Sequence, residues 1–390
     1  MYHFLKRREY GTISSLRLER AESTKRAYSL QLSRTKELAR SHRGGVHSLQ
    51  IEDVEQRYLL TGGSDGKVHI YDLQATPNEH ERNEPIASVA REDQHKYAVT
   101  SASWYPFDTG MFVTSSYDTT IKVWDTNTMK SAYEFELGSR INCQSMSTIA
   151  SHSLVASAAS EPRIRLCDLE SGAFTHSLTG HSGSVLSCIW SSNQDYILYS
   201  GGNDGTIRVW DIRRASSCLM SLDQDNTVNR DSLSELNMAH GKGVNGMTVT
   251  KDGRYLVSLG LDERIRLWDT KTGLNTLVNY GTSWRNRFEL GLKPTITNEI
   301  WPPLLYIPSD DRQVLVYRLL DGVLVRRLKG AYGRVICTEK RENYQELYSG
   351  SNGGEILVWE PPMQDEDVMQ SIEVEYNVDT WSDSDEDIHS

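Results

Sequence analysis

Long apolar runs are missing from this 390-residue chain. Its hydrophobic content is 38%, yet no run approaches the roughly 20 residues of a membrane-spanning helix, so no membrane segment is expected. No secretory leader is expected either, because Lys6, Arg7 and Arg8 follow an opening without a hydrophobic core region. Cysteine is scarce. Cys143, Cys167, Cys188, Cys218 and Cys337 are odd in number, scattered and without close pairs, which argues against a disulfide framework or a zinc site and for reduced thiols in cytosol or nucleus. No cofactor and no metal are expected. A broad basic face is also lacking. Residues 1–43 carry eleven Lys and Arg against four Glu, residues 361–390 carry ten acids and no base, and the stretch between them is left at −8. Direct sequence-specific binding of nucleic acid through phosphates is therefore not expected.

What the chain does have is a repeated phrase. GGSDGKVHIYD ends at Asp72, SSYDTTIKVWD at Asp125, GGNDGTIRVWD at Asp211 and SLGLDERIRLWD at Asp269. Degenerate copies end at Asp168, Arg318 and Glu360, giving seven units whose ends lie 42 to 58 residues apart. A unit this small cannot bury its own apolar face and must stack on copies of itself, as four-stranded propeller blades do. The longer intervals hold polar stretches at 74–94, 224–238 and 281–299, expected as loops. In the fourth unit, strands are expected at Val185–Trp190, Tyr196–Ser200 and Thr206–Trp210, with a weaker outer strand at Cys218–Leu222.

A second periodicity runs inside the units. An acid stands six residues before the bulky end residue in Asp65/Tyr71, Asp118/Trp124, Asp204/Trp210 and Asp262/Trp268, and again in Glu161/Cys167 and Asp311/Tyr317. A hydroxyl precedes the acid by four, at Thr61, Thr114, Ser157, Ser200 and Ser258, and His42, His95, His181 and His240 lie upstream, each four residues before a Val. A buried aspartate meeting a histidine, a hydroxyl and an indole N–H satisfies every partner. A hydrolytic triad works once, in a cleft with an oxyanion hole; this set recurs in four units, as a structural network does. The glycines of GGSDG and GGNDG fall between two strands and serve turns, with no phosphate-facing helix after them. No catalytic residue is expected.

Both termini suggest how the ring closes. Pro361-Pro362 follows the last unit, which leaves it without an outer strand. Tyr28, Leu30 and Leu32 alternate with Ser29, Gln31 and Ser33, so residues 27–33 are expected to pair with 355–360. Ahead of them, residues 1–26 form an expected helical segment carrying Phe4, Leu5, Leu16 and Leu18, for the propeller's underside or a partner's groove. Behind, residues 361–390 are an expected disordered acidic tail, with Ser382 and Ser384 as candidate phosphorylation sites among acids and Trp381 as an isolated aromatic.

With Trp124-Asp125, Trp210-Asp211 and Trp268-Asp269 closing its units, the chain resembles the WD-repeat family over roughly residues 40–360. The resemblance implies an all-β, seven-bladed WD-repeat β-propeller over 27–360. The third and sixth units depart from it, ending in Cys167-Asp168 and Tyr317-Arg318, and the Arg- and aromatic-rich run from Trp284 to Phe288 is either an interaction site or a variable insertion. In the fourth unit the phrase runs on as WDIRR, a Trp-Asp-x-Arg order resembling the box of cullin-4 ubiquitin-ligase substrate receptors. Arg213 is expected in the turn after the third strand, opposite the Asp204 turn, where a guanidinium fork suits a carboxylate or carbonyl of a docking protein.

LRLERAEST at 16–24, WYPFDTGMF at 104–112, KVWDTNT at 122–128, WDIRRAS at 210–216, NTLVNYG at 275–281, QELYSGS at 345–351 and the WSDSDED tail extend the resemblance to the Cockayne syndrome group A family. That resemblance implies a nuclear, non-catalytic substrate-recognition subunit of a cullin-4 RING ubiquitin ligase, acting in transcription-coupled nucleotide-excision repair at stalled RNA polymerase II. Its implied partners are the large damaged-DNA-binding adaptor, cullin-4 and the RING subunit indirectly, the Cockayne syndrome group B ATPase and the RNA polymerase II repair complex. By position, Phe4, Leu5, Leu16, Leu18, Arg20, Asp211 and Arg213 become the adaptor contacts, with the opposite face left to repair factors. The alternative is a non-ligase WD-repeat scaffold or a chromatin- or histone-binding propeller.

Overall fold

The structure, a computed structural model, describes residues 11, 14–75, 82–149, 151–214, 218–227, 237–297 and 300–362. Seven antiparallel sheets follow one another along the chain and form a seven-bladed β-propeller, with one helix among the described residues. Six blades span 46–88, 99–136, 141–179, 185–221, 244–269 and 295–329, and the seventh combines 335–360 with Gln31–Leu32. Within each blade the first strand is innermost, and neighbouring innermost strands touch around a central channel.

Burial follows the strand period. Trp124, Trp210, Trp268 and Trp359 lie inside the blades. Apolar clusters cross the seams; one joins Ala156 and Leu166 of blade three to Cys188, Trp190, Leu198 and Trp210 of blade four. Turns lock neighbouring blades as well. Gly66 and Gly205 have φ of +77° and +75° and press on the carbonyls of His95 and His240 in the next blade, where a Cβ would come within 2.2 and 2.4 Å. The same glycine carbonyls accept from the His95 and His240 amides at 3.1 and 2.9 Å. No other residue fits there without displacing a blade.

In blade four the inner strand is Val185–Trp190, the second Ile197–Gly202, the third Ile207–Asp211 and the outer Cys218–Ser221. Blade five has three regular strands, and its edge is completed by a single bridge from Trp268 to Asn275.

At the closure, Gln31 pairs with Glu360 and Leu32 with Trp359. The extended run expected over 27–33 is shorter than that, because the helix Ser15–Tyr28 continues through Ala27 and Tyr28. Ser14 caps this helix by accepting from the Arg17 amide, and Lys25 and Arg26 stand in its last turn, where positive charge suits the helix dipole. Ala27 and Leu30 are buried against Ile300, Leu304, Tyr306 and Trp359, so the helix end and the short strand are fastened together to blades six and seven. Residues 363–390 lie outside the described residues, with Trp381, Ser382 and Ser384 among them. Among the described residues, no helix is long and apolar enough to cross a membrane.

Candidate functional site

The propeller has two unlike faces. The upper face carries the turns between second and third strands, and the underside carries the ends of the third strands, where Asp72, Asp125, Asp168, Asp211, Asp269, Arg318 and Glu360 stand.

On the upper face the structure assembles the repeated polar set. His95 Nδ1 lies 2.8 Å from Asp118 and Nε2 lies 2.7 Å from Thr114 Oγ1, which accepts from the Trp124 indole at 2.7 Å. His181, Asp204, Ser200 and Trp210 repeat this arrangement, as do His240, Asp262, Ser258 and Trp268. In blade one His42 meets Asp65 and Thr61, but Tyr71 turns its hydroxyl to the Ala39 carbonyl, and Thr61 donates to the His69 carbonyl. The same carboxylates also accept the backbone amides of Arg43, Lys96, Ser182 and Gly241, tying each turn to the strand entry beside it. Burial raises these carboxyls, but the histidine contacts and the other donors outweigh it and hold Asp65, Asp118, Asp204 and Asp262 below the ordinary carboxylate range. The hydroxyls of the set are fully buried, so none can meet a substrate.

Blades three, six and seven solve the same problem differently. Glu161 pairs with Arg163 and Arg165, while Ser157 donates to the Arg165 carbonyl. In blade seven the Trp359 indole donates to Ser349 at 2.8 Å without a histidine. The ten-residue spacing it shares with Trp124–Thr114, Trp210–Ser200 and Trp268–Ser258 was the available signal. The 284–288 run divides. Trp284 is buried and donates to the Pro308 carbonyl, and Asn286 bonds with Asn245, whereas Phe288 is exposed with the Arg334 guanidinium 4.2 Å from its ring centre.

On the underside Arg213 occupies the turn expected for it, but its fork is not free. Its Nε and Nη2 donate to the two oxygens of buried Asp211 at 3.0 and 2.9 Å, and its guanidinium sits 4.8 Å from the centre of the Tyr196 ring. The hydrogen bond from Arg213, against the cost of burial, holds Asp211 below the usual carboxylate range. Arg213 nevertheless leaves 60% of its side chain exposed, beside Arg214 at 66%. Glu360, at the same end of its sheet, receives the strand that follows the helix, and the Tyr28 carbonyl accepts from Arg326. The helix therefore enters on the Arg213 face, around the ring at blades six and seven. Turns on this face also expose Val54, Phe107, Tyr344 and Trp301, a scatter of large apolar side chains around the channel mouth. Arg20 is exposed on the helix; Phe4, Leu5 and the side chains of Leu16 and Leu18 lie outside the described residues.

The channel contains a cavity of about 250 Å³ reaching the underside at Asp53, Val54 and Asp108. Lys293 crosses it to donate to Ser48 at 2.7 Å. Burial pushes Glu339, on its wall, up to about 8, with Asp53 adding to the effect.

WD repeat-containing protein ATCSA-1 of Arabidopsis thaliana is 36% identical to this chain over 98% of its residues and the whole of the plant protein. The chain belongs to the WD-repeat family. The WD domain, G-beta repeat, matches residues 33–72, 86–125, 172–211 and 231–269 of this WD-repeat protein, ending at the four sharp copies of the phrase. Radiation-sensitive protein 28 of Saccharomyces cerevisiae is 26% identical over 62% of this chain and 53% of its own length. Ribosome biogenesis protein YTM1 of Phaeosphaeria nodorum is also 26% identical, over 58% and 54%. WD-repeat propellers are typically non-catalytic scaffolds or receptors for other proteins.

Proposed function

We propose that this propeller is the substrate-recognition subunit of a nuclear cullin-4 RING ubiquitin ligase in transcription-coupled nucleotide-excision repair. The observation that carries the reading is the Trp-Asp-x-Arg turn of blade four, whose exposed, oriented Arg213 shares one face with the entry of the N-terminal helix. A stacked guanidinium with a neighbouring buried carboxylate is a fixed polar anchor, and the exposed apolar side chains elsewhere on the same face supply contact area. The full-length likeness to the plant WD-repeat protein supports the same reading. In it, Arg213, Asp211, Arg20 and the apolar residues of the N-terminal segment contact the large damaged-DNA-binding adaptor, and the upper face recruits the Cockayne syndrome group B ATPase and the polymerase repair complex. The chain contributes proximity, with the chemistry left to the RING subunit and its conjugating enzyme.

The test is affinity purification of the full chain from untreated and ultraviolet-irradiated cells with mass spectrometry. Adaptor and cullin-4 are expected in both samples, and polymerase and the ATPase are expected to rise after irradiation. Recovery of histones or assembly factors without the adaptor defeats the reading in favour of a non-ligase scaffold.

A further inference from the structure

Cys143 and Cys188 stand apart from the other three cysteines. They lie on neighbouring inner strands, Ile141–Met146 of blade three and Val185–Trp190 of blade four, and both line the central cavity. The two side chains meet across the seam. Cys143 Sγ lies 3.8 Å from the Cys188 carbonyl oxygen, and Cys188 Sγ lies 4.0 Å from the Cys143 carbonyl oxygen and 3.6 Å from that of Ala156. Each side chain thus reaches the backbone of the other, which places the two thiols side by side at the seam. Lys293 stands in the same cavity, its ammonium anchored on Ser48, and its charge favours a thiolate at Cys143. The cavity opens on the underside, so a small oxidant reaches the pair.

We propose that Cys143 and Cys188 form a peroxide-sensitive dithiol whose oxidation staples blades three and four. The Cys143 thiolate attacks one peroxide oxygen, the O–O bond breaks, hydroxide leaves, and Cys143 becomes a sulfenic acid. Cys188 sulfur then attacks the Cys143 sulfur; the S–S bond forms, the S–O bond breaks, and the departing oxygen leaves as water with the Cys188 proton. Two thiols lose two electrons and one hydrogen peroxide becomes two waters.

The surroundings assign the roles. Cys143 is the less buried of the two, and the neighbouring Cys188 thiol and Lys293 charge outweigh burial and lower its thiol, so it is the attacking sulfur. Burial pushes Cys167 and Cys337 up to about 12, which leaves them as inert core thiols. Cys218 lies on the outer strand of blade four, away from the cavity. The inference is independent of the ligase reading, since it concerns a seam that exists in any use of the propeller.

The full chain, treated with hydrogen peroxide, blocked with an alkylating reagent and mapped by mass spectrometry without reduction, tests it. The expected product is a Cys143–Cys188 crosslink 2 Da lighter than the reduced pair, reversed by dithiothreitol. Before oxidation, Cys143 is expected to alkylate at least about tenfold faster than Cys337 at neutral pH. In Cys188→Ser the sulfenic acid persists and is trapped by a dimedone probe; in Cys143→Ser no crosslink and no sulfenic acid form at position 188. Thermal melts of both variants show that they are folded when assayed. Recovery of Cys143 and Cys188 as free thiols while Cys218 oxidises overturns the proposal, as does wild-type Cys143 passing to sulfinic acid with Cys188 still reduced.

Discussion

Arg213 grips Asp211, two residues before it, through two parallel hydrogen bonds of 3.0 and 2.9 Å. The pair spends one edge of the guanidinium inside the protein and fixes the direction of the rest. Asp211 also accepts the Arg213 backbone amide at 3.1 Å, so its carboxylate keeps a donor if the side chain is removed.

Arg213→Ala is therefore expected to fold normally, with an unfolding midpoint within about 2 °C of wild type, because Asp211 keeps the backbone amide at 213 and the Arg214 side chain as partners. Adaptor affinity is expected to fall at least about tenfold, as for loss of an oriented interface anchor. Scanning fluorimetry and biolayer interferometry on the same preparation separate the two effects. A large fall in midpoint with unchanged affinity makes Arg213 a structural residue only.

Ser258→Ala removes one oxygen and strands two buried groups, the Trp268 indole N–H and His240 Nε2. A destabilisation of about 2–3 kcal/mol is expected, because each orphaned group forfeits its only partner in the interior. Ser349→Ala in blade seven strands only the Trp359 indole and is expected to cost about half as much. Urea unfolding of the two variants compares them directly. Equal losses in both argue against a shared network of the kind described.

Much of this was legible before folding. Residues ten, six and four apart recur because the second and third strands of every blade hold the same places, so the Asp65, Asp118, Asp204 and Asp262 sets could be read from spacing alone. In blade three the substitutes stand inside the phrase, where Arg163 and Arg165 take Glu161 in place of a histidine, but the contacts of the 284–288 run were hidden because they reach far along the chain: Trp284 meets Pro308 across 24 residues and Asn286 meets Asn245 across 41. The channel was invisible for a similar reason, since Lys293 and Ser48 meet only when the ring has closed. The helix ran past its expected end because Ser15–Tyr28 is polar nearly all round and offers no apolar period to mark where it stops. The engagement of Arg213 with its own Asp211 could not be read from the order Trp-Asp-x-Arg, which leaves the rotamer open.

Closure by the chain start makes Leu30 a core residue despite its distance in sequence from blades six and seven. Leu30→Ala is expected to cost about 2–4 kcal/mol, the usual range for a buried leucine that cannot be replaced by collapse. Removal of residues 1–13, by contrast, leaves the described helix with its Ser14 cap, Leu30 and the pairing strand in place, and is expected to spare the melting temperature. If Leu30→Ala melts like wild type, the short strand does not hold the ring.

Acid is expected to weaken the fold through buried histidines before it reaches the aspartates. Burial lowers His47 and His69 from the usual 6.5 to about 4. Between those values the unfolded chain binds protons that the folded chain refuses, so their contribution is whole above pH 6.5 and is lost as pH falls toward 4, up to about 3 kcal/mol each. Glu339 works in the opposite sense: its folded value near 8 means stability declines as pH rises from 4.5 through 8. Melting curves from pH 8 to 5 for wild type, His69→Gln and Glu339→Gln separate the two. The histidine variant is expected to lose less stability on acidification than wild type, and the glutamate variant to lose more; a His69→Gln curve parallel to wild type contradicts the assignment.

The most direct test of the receptor reading is the affinity of the purified full chain for the purified cullin-4 adaptor, measured beside Arg213→Glu and a deletion of residues 1–20. Tight binding by wild type is expected, with at least about tenfold loss in each variant and larger loss when they are combined. Wild-type affinity in both folded variants, or no binding by the wild-type chain, contradicts it.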